Sequence, residues 1–163
     1  MNFDNLCKEI KIMASLNKKL KSLVDSHEEI VILGNGGSSS IASHITQDYT
    51  KALGKKSFTF SDSSRLTCYI NDYGMEHAYA NFLSEFVSNK ALVILISSSG
   101  NSDNIINSAK FCDTNNIKYV TLTGFNKDNK LNQFESNLNY WVDSKDYGIV
   151  ECAHLIFLHS IIG

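Results

Sequence analysis

Apolar residues recur along this chain with two alternating periods, and the alternation sets out its elements. Leu6, Ile10, Met13, Leu16, Leu20 and Leu23 are spaced 4, 3, 3, 4 and 3 apart, which predicts an amphipathic helix over residues 4–26. Residues 30–33 are a short β-branched run, predicting a strand, and a serine-rich start predicts a helix over 38–53. A second short strand is expected at 57–60, a turn at 71–74, and a helix from 76 to 88. Residues 91–97 form the longest continuous apolar run, the pattern of a central parallel strand covered on both faces. A helix over 102–114, a strand over 118–122, a polar loop over 125–137 and a strand over 138–142 follow. The last helix is expected from 148 to the end, still apolar at Ile161 and Ile162, so that a further turn beyond residue 163 is anticipated. Strands alternating with helices imply an α/β protein: a doubly wound, five-stranded parallel sheet with right-handed crossovers and helices on both faces. No repeat, linker or low-complexity segment divides the chain, so residues 1–163 are read as one domain.

Two small-residue turns interrupt this pattern at the same kind of place. Gly34-Asn35-Gly36-Gly37-Ser38-Ser39-Ser40 follows the first strand, and Ser97-Ser98-Ser99-Gly100-Asn101-Ser102 follows the central one. Each leads into a helix. Backbone N–H groups and hydroxyls at a helix start favour an anion, and glycine lets the backbone approach it closely. Ligands of such sheets sit outside the carboxyl ends of the strands, where both turns fall. A phosphorylated small molecule is the expected ligand.

The chain has 163 residues, 43% hydrophobic and 20% charged, which are globular values. Its net charge of −2 offers no basic field for nucleic acid or an anionic membrane. Lys8, Lys11, Lys18, Lys19 and Lys21 on the first helix are offset by Asp4, Glu9, Asp25, Glu28 and Glu29, the mark of a solvated face. No apolar run approaches the roughly 20 residues of a membrane span, and the first residues do not form a signal sequence. Cys7, Cys68, Cys112 and Cys152 are widely spaced and read as reduced thiols, which places the protein in the cytoplasm.

Candidate chemistry lies beside these turns. His44 and Asp48 stand four apart on the helix after the first turn and share a face, a spacing for a metal chelate or an acid–base pair. The last helix carries Glu151, His154 and His159 among apolar neighbours. Glu151 and His159 are eight apart, about 80° around the axis and ~12 Å along it, so meeting at one ligand requires reach or a neighbouring subunit. Asp72, in Asn71-Asp72-Tyr73-Gly74, is open between a turn former and an acceptor of substrate hydroxyls. Thr121-Leu122-Thr123-Gly124 is expected to end a strand.

In order and spacing, these motifs resemble the sugar isomerase (SIS) domain family, and most closely its phosphoheptose isomerases. The resemblance covers nearly the whole chain. It implies a flavodoxin-like sheet with an N-terminal oligomerisation helix over 4–26, a homotetramer, and interconversion of sedoheptulose 7-phosphate and D-glycero-D-manno-heptose 7-phosphate through an enediol. Such a reaction supplies heptose for lipopolysaccharide or capsule. Carried over by position, the substrate-binding residues are Asn35, Gly36, Gly37, Ser38, Asn71, Asp72, Ser97, Ser98, Ser99 and Ser102. The catalytic residues are Asp48, Glu151 and His159, and a divalent metal, zinc, falls to His44, Asp48, Glu151 and His159. The family typically has Glu at the position of Asp48 and Gln-Glu at Glu151-Cys152. A carboxylate one methylene shorter displaces a general base by about 1 Å. The added charge at 151 either strengthens a cation site or moves the base role from Asp48 to Glu151. The alternative is a non-catalytic SIS protein that binds a phosphosugar or another protein, for example a replication initiator.

Overall fold

A computed structural model describes residues 3–162, and Gly163, where the last helix was expected to continue, lies outside them. The α-helices and strands follow in the order α1 (Phe3–Asp25), β1 (Glu29–Gly34), α2 (Gly37–Leu53), β2 (Lys56–Phe58), α3 (Ser63–Tyr73), α4 (Met75–Phe86), β3 (Leu92–Ser97), α5 (Asp103–Thr114), β4 (Lys118–Thr123), β5 (Leu138–Trp141) and α6 (Tyr147–His159), with a 3-10 turn at Leu131–Gln133 between β4 and β5. The five strands are all parallel, in the order β2-β1-β3-β4-β5. This is the doubly wound, flavodoxin-like arrangement.

Side-chain alternation divides the core into two layers. Ile30, Ile32, Leu92, Ile94, Ile96, Val120 and Leu122 face α1, α2 and α6. Their neighbours Val31, Leu33, Val93, Leu95 and Tyr119 face α3, α4 and α5. All six residues of β3 are buried, as a strand covered on both faces must be. The order reverses between β1 and β3, which pair directly with Gly34 opposite Ile96. The two small-residue turns therefore leave the sheet side by side at the switch point, where sheets of this kind bind ligands.

Several expectations change. Residues 63–73 form a helix where only a terminal turn was expected, started by Asp62, whose Oδ1 accepts the Arg65 N–H at 2.8 Å. Asn71 and Asp72 belong to its last turn rather than to a free loop. The strand at 57–60 is shorter and earlier, ending at Phe58. The helix α6 closes at His159 instead of running to the end. Glu9 is not on the solvated face of α1: it is 4% exposed, and Tyr140 Oη donates to its Oε2 at 3.0 Å. Burial raises the Glu9 carboxyl above its ordinary pKa. The inward face of α1 is thus rotated, and Ile10 is left exposed. Among the described residues no helix is long and apolar enough to cross a membrane, and all four cysteines are unpaired.

Candidate functional site

The turn after β1 folds as it does because of its glycines. Gly36 has φ 53 and precedes the first residue of α2, a backbone that side chains rarely adopt. A Cβ on Gly34 would lie 2.7 Å from the backbone of Ser38, so the start of α2 presses directly on the strand end. The carbonyl of Gly34 accepts a hydrogen bond from the buried Tyr79 hydroxyl at 2.9 Å. After β3, Gly100 takes φ 64 and donates its N–H to the Ser97 carbonyl at 3.0 Å, and Asn101 N–H donates to Ser99 Oγ at 3.2 Å. Ser97 Oγ and Ser102 Oγ lie 3.3 Å apart, which brings the first and last serines of the loop together.

Between these turns lies a cavity of about 240 Å³. Asn35, Gly36, Gly37 and Ser38 form one side, and Ser97, Ser98, Ser99 and Ser102 form the other. The eight expected loop residues therefore meet in one cavity. Two helix N-termini, those of α2 and α5, open onto it, and they supply the partial positive charge that an anion requires. Asn35 is fixed by a reciprocal amide pair with Asn104, 2.9 Å in each direction. Asn104 is 3% exposed and escaped the sequence reading; an amide at the second position of a helix carries no local signal of a partner 69 residues away.

Glu151 also lines this cavity, with Tyr147 one helical turn before it. A side chain on Gly37 would collide with the Glu151 carboxylate, whose Cδ lies 2.7 Å from where that Cβ would stand. Glycine at 37 thus makes room for an acid at 151. Asn71 and Asp72 are exposed at the end of α3, bonded to each other at 2.9 Å, and do not line the cavity.

His44, Asp48 and His159 form a second group, their ligand atoms all within 4.8 Å of one another. His159 Nε2 lies 2.8 Å from Asp48 Oδ2 and His44 Nε2 lies 3.5 Å from the same oxygen. The two imidazoles meet edge to face at 5.1 Å. The hydrogen bond from His159 holds the Asp48 carboxyl below its ordinary pKa, with His44 adding to the effect. Glu151 is not in this group. The four side chains expected at one point are therefore divided, because α2 and α6 run side by side and separate their residues by helical rise. Seven residues from Gly37 to His44 and eight from Glu151 to His159 are each about 10–12 Å of helix.

Two imidazoles and a carboxylate with solvent on one side fit a divalent cation such as zinc, since this donor set leaves a position for an oxygen of the substrate. His154, the remaining histidine of α6, is fully buried; its Nε2 meets the Thr123 carbonyl at 3.1 Å, and burial lowers its pKa to about 4. It is a neutral core residue.

No family model matches the chain. Curated relatives do. The phosphoheptose isomerase of Aliarcobacter butzleri is 31% identical over 169 residues, covering 97% of this chain and 88% of that protein. The phosphoheptose isomerase of Cytophaga hutchinsonii is 33% identical over 131 residues, covering 76% and 67%. Among solved structures, the phosphoheptose isomerase of Neisseria gonorrhoeae superposes with a TM-score of 0.90 at 22% identity, over 98% of this chain and 91% of that one.

Proposed function

The chain belongs to the phosphoheptose isomerase family, which are aldose–ketose isomerases, and from that membership we propose how its own residues carry the reaction. The substrate is sedoheptulose 7-phosphate, and its product feeds heptose biosynthesis. The observation that carries this reading is the cavity at the switch point, where two helix N-termini and the serine loop face a carboxylate across about 240 Å³. Phosphate is taken by the serine side, where Ser97, Ser99 and Ser102 offer hydroxyls at the start of α5. That grip supplies binding energy remote from the reacting carbons and orients them.

Glu151 is the base. Asp48 Oδ2 is engaged by both imidazoles, whereas the Glu151 carboxylate stands in the cavity itself, against Gly37. It takes a proton from C1 of the ketose and returns it to C2, while the oxygen-bound proton moves from O1 to O2. The bound sugar runs from the serine loop past Glu151 towards His44, Asp48 and His159. These three would hold the cation, which when bound supplies Lewis-acid stabilisation of the enediolate oxygens. His159 Nε2 lies 2.8 Å from Asp48 Oδ2 and lowers the pKa of that carboxyl, so the two ligand atoms already face one another. The chain thus replaces the family's longer acid at 48 with a second acid at 151.

NMR observation of sedoheptulose 7-phosphate with the purified protein tests this reading. Conversion to the aldose is expected, and a chelator should lower the rate by an order of magnitude or more. Binding without conversion would favour the non-catalytic alternative.

The assembly is proposed to be a homotetramer built on α1 and α6. A groove of about 330 Å³ runs between them, lined by Ile10, Met13, Ala14 and Ile156. Ile10 and Ile12 are each 46% exposed, an apolar surface of the kind that another subunit covers. Light scattering at micromolar concentration should give four times the 18.2 kDa chain mass; a monomer there would overturn it. The four unpaired thiols support a reducing, cytoplasmic location.

A further inference from the structure

Two features converge on one wall of the cavity. Tyr147 lines it and is 60% exposed, a large aromatic ring left open to a ligand. Glu151 stands one turn further along α6, on the same face. Behind Tyr147 is Phe125, whose ring it meets edge to face at 4.8 Å and 83°. Phe125 has φ 57, a left-handed backbone that a bulky residue rarely occupies. Its N–H donates to the Ser144 carbonyl at 2.9 Å, and the preceding Gly124 N–H donates to the Ser98 carbonyl at 3.0 Å. One short segment thus ties the serine loop to the start of α6 and holds a strained aromatic residue against Tyr147. Strain of this kind persists only where the surroundings impose it.

We infer that Tyr147, braced by Phe125, is the specificity-determining wall that recognises the carbon chain of the sugar phosphate. The inference rests on the phosphosugar reading of the same cavity and adds which side of it reads which part of the substrate. Charge decides the orientation. The Glu151 carboxylate repels a phosphate, so the α6 side of the cavity is the sugar side and the anion lies across it, on the serine loop. On the α6 side, the carboxylate meets polar and reacting atoms of the sugar. The tyrosine ring covers its C–H face, which gains from leaving water against an aromatic surface. Inorganic phosphate reaches only the serine side and gains nothing from the ring.

Calorimetric titration of two probes, sedoheptulose 7-phosphate and inorganic phosphate, tests this in Tyr147→Phe, Tyr147→Ala and Phe125→Gly. Tyr147→Ala is expected to weaken the sugar phosphate by about tenfold and leave inorganic phosphate within about twofold, while Tyr147→Phe keeps both. Phe125→Gly relieves the left-handed strain, so it should fold, yet it should weaken the sugar phosphate several-fold by unbracing the ring. Unchanged sugar affinity in Tyr147→Ala overturns the wall. So does an equal loss for inorganic phosphate, or a loss in Tyr147→Phe as large as in Tyr147→Ala. The expected binding pattern in a protein that does not isomerise the sugar supports the wall and sinks only the isomerase reading.

Discussion

Glu151→Gln is expected to lower turnover of sedoheptulose 7-phosphate by roughly a hundredfold to ten-thousandfold, the usual contribution of a positioned base, while metal content stays at the wild-type level. An amide keeps the volume against Gly37 but cannot take a proton. The cavity should also bind inorganic phosphate somewhat more tightly, since one negative charge has left it. Asp48→Asn should behave differently. It turns the carboxylate that His44 Nε2 meets at 3.5 Å and His159 Nε2 at 2.8 Å into a neutral amide, a far weaker metal ligand, so metal content should fall together with turnover. The His159 hydrogen bond holds the wild-type Asp48 carboxyl below its ordinary pKa. The pair of variants, assayed for kcat and for metal by atomic absorption, separates the two acids. Loss of metal in Glu151→Gln with full turnover in Asp48→Asn would reverse the assignment.

That separation shows where sequence reading reaches its limit. The strands β1, β3 and β4 were legible because each carries a short β-branched run, and the cavity was legible because both turns follow such runs. Alternation alone then sends Ile32 to one layer and Leu33 to the other. The helix over 63–73 was missed because its first residues, Ser63, Ser64 and Arg65, are polar and read as a loop. Its signal was present in the Asp62 cap and in Leu66, Tyr69 and Ile70 at helical spacing. Glu9 was miscounted as solvated because its partner, Tyr140, lies 131 residues away. The helical rise between Glu151 and His159 was computable from spacing, yet all four side chains were expected at one point, and Glu151 stands apart from the other three. Which member stood apart depended on how α2 lies against α6, and no local pattern encodes that. Asn104 and Tyr147 share this property: their roles come from residues that the fold, not the chain, places beside them.

Gly100→Ala is expected to destabilise the fold by about 2–4 kcal/mol and to weaken inorganic phosphate binding by an order of magnitude or more. Gly100 sits at φ 64 in the serine loop, between Ser99 and Ser102. A left-handed backbone costs an alanine about 1–2 kcal/mol. Space adds the rest. The new Cβ would stand 2.8 Å from the Asn129 Cβ and overlap its amide. Asn129 cannot step aside: it is 3% exposed, donates to the carbonyls of Gly124 at 3.3 Å and Asn126 at 2.8 Å, and accepts the Asn132 N–H at 2.9 Å. Nor can the loop, because the Gly100 carbonyl accepts the Leu131 N–H at 2.9 Å and its own N–H is bonded to Ser97. Relief therefore comes from moving the serine loop, and with it the anion site. Gly54→Ala is the control. Gly54 has a comparable φ of 66 at the end of α2, but nothing lies within 4 Å of its Cβ position, so only the backbone cost of about 1–2 kcal/mol should appear and phosphate binding should hold. Urea unfolding and phosphate titration of the two variants measure the difference. Equal destabilisation would mean that Asn129 yields and does not wall the loop. An unchanged phosphate affinity in a destabilised Gly100→Ala protein would detach the serine loop from the anion site.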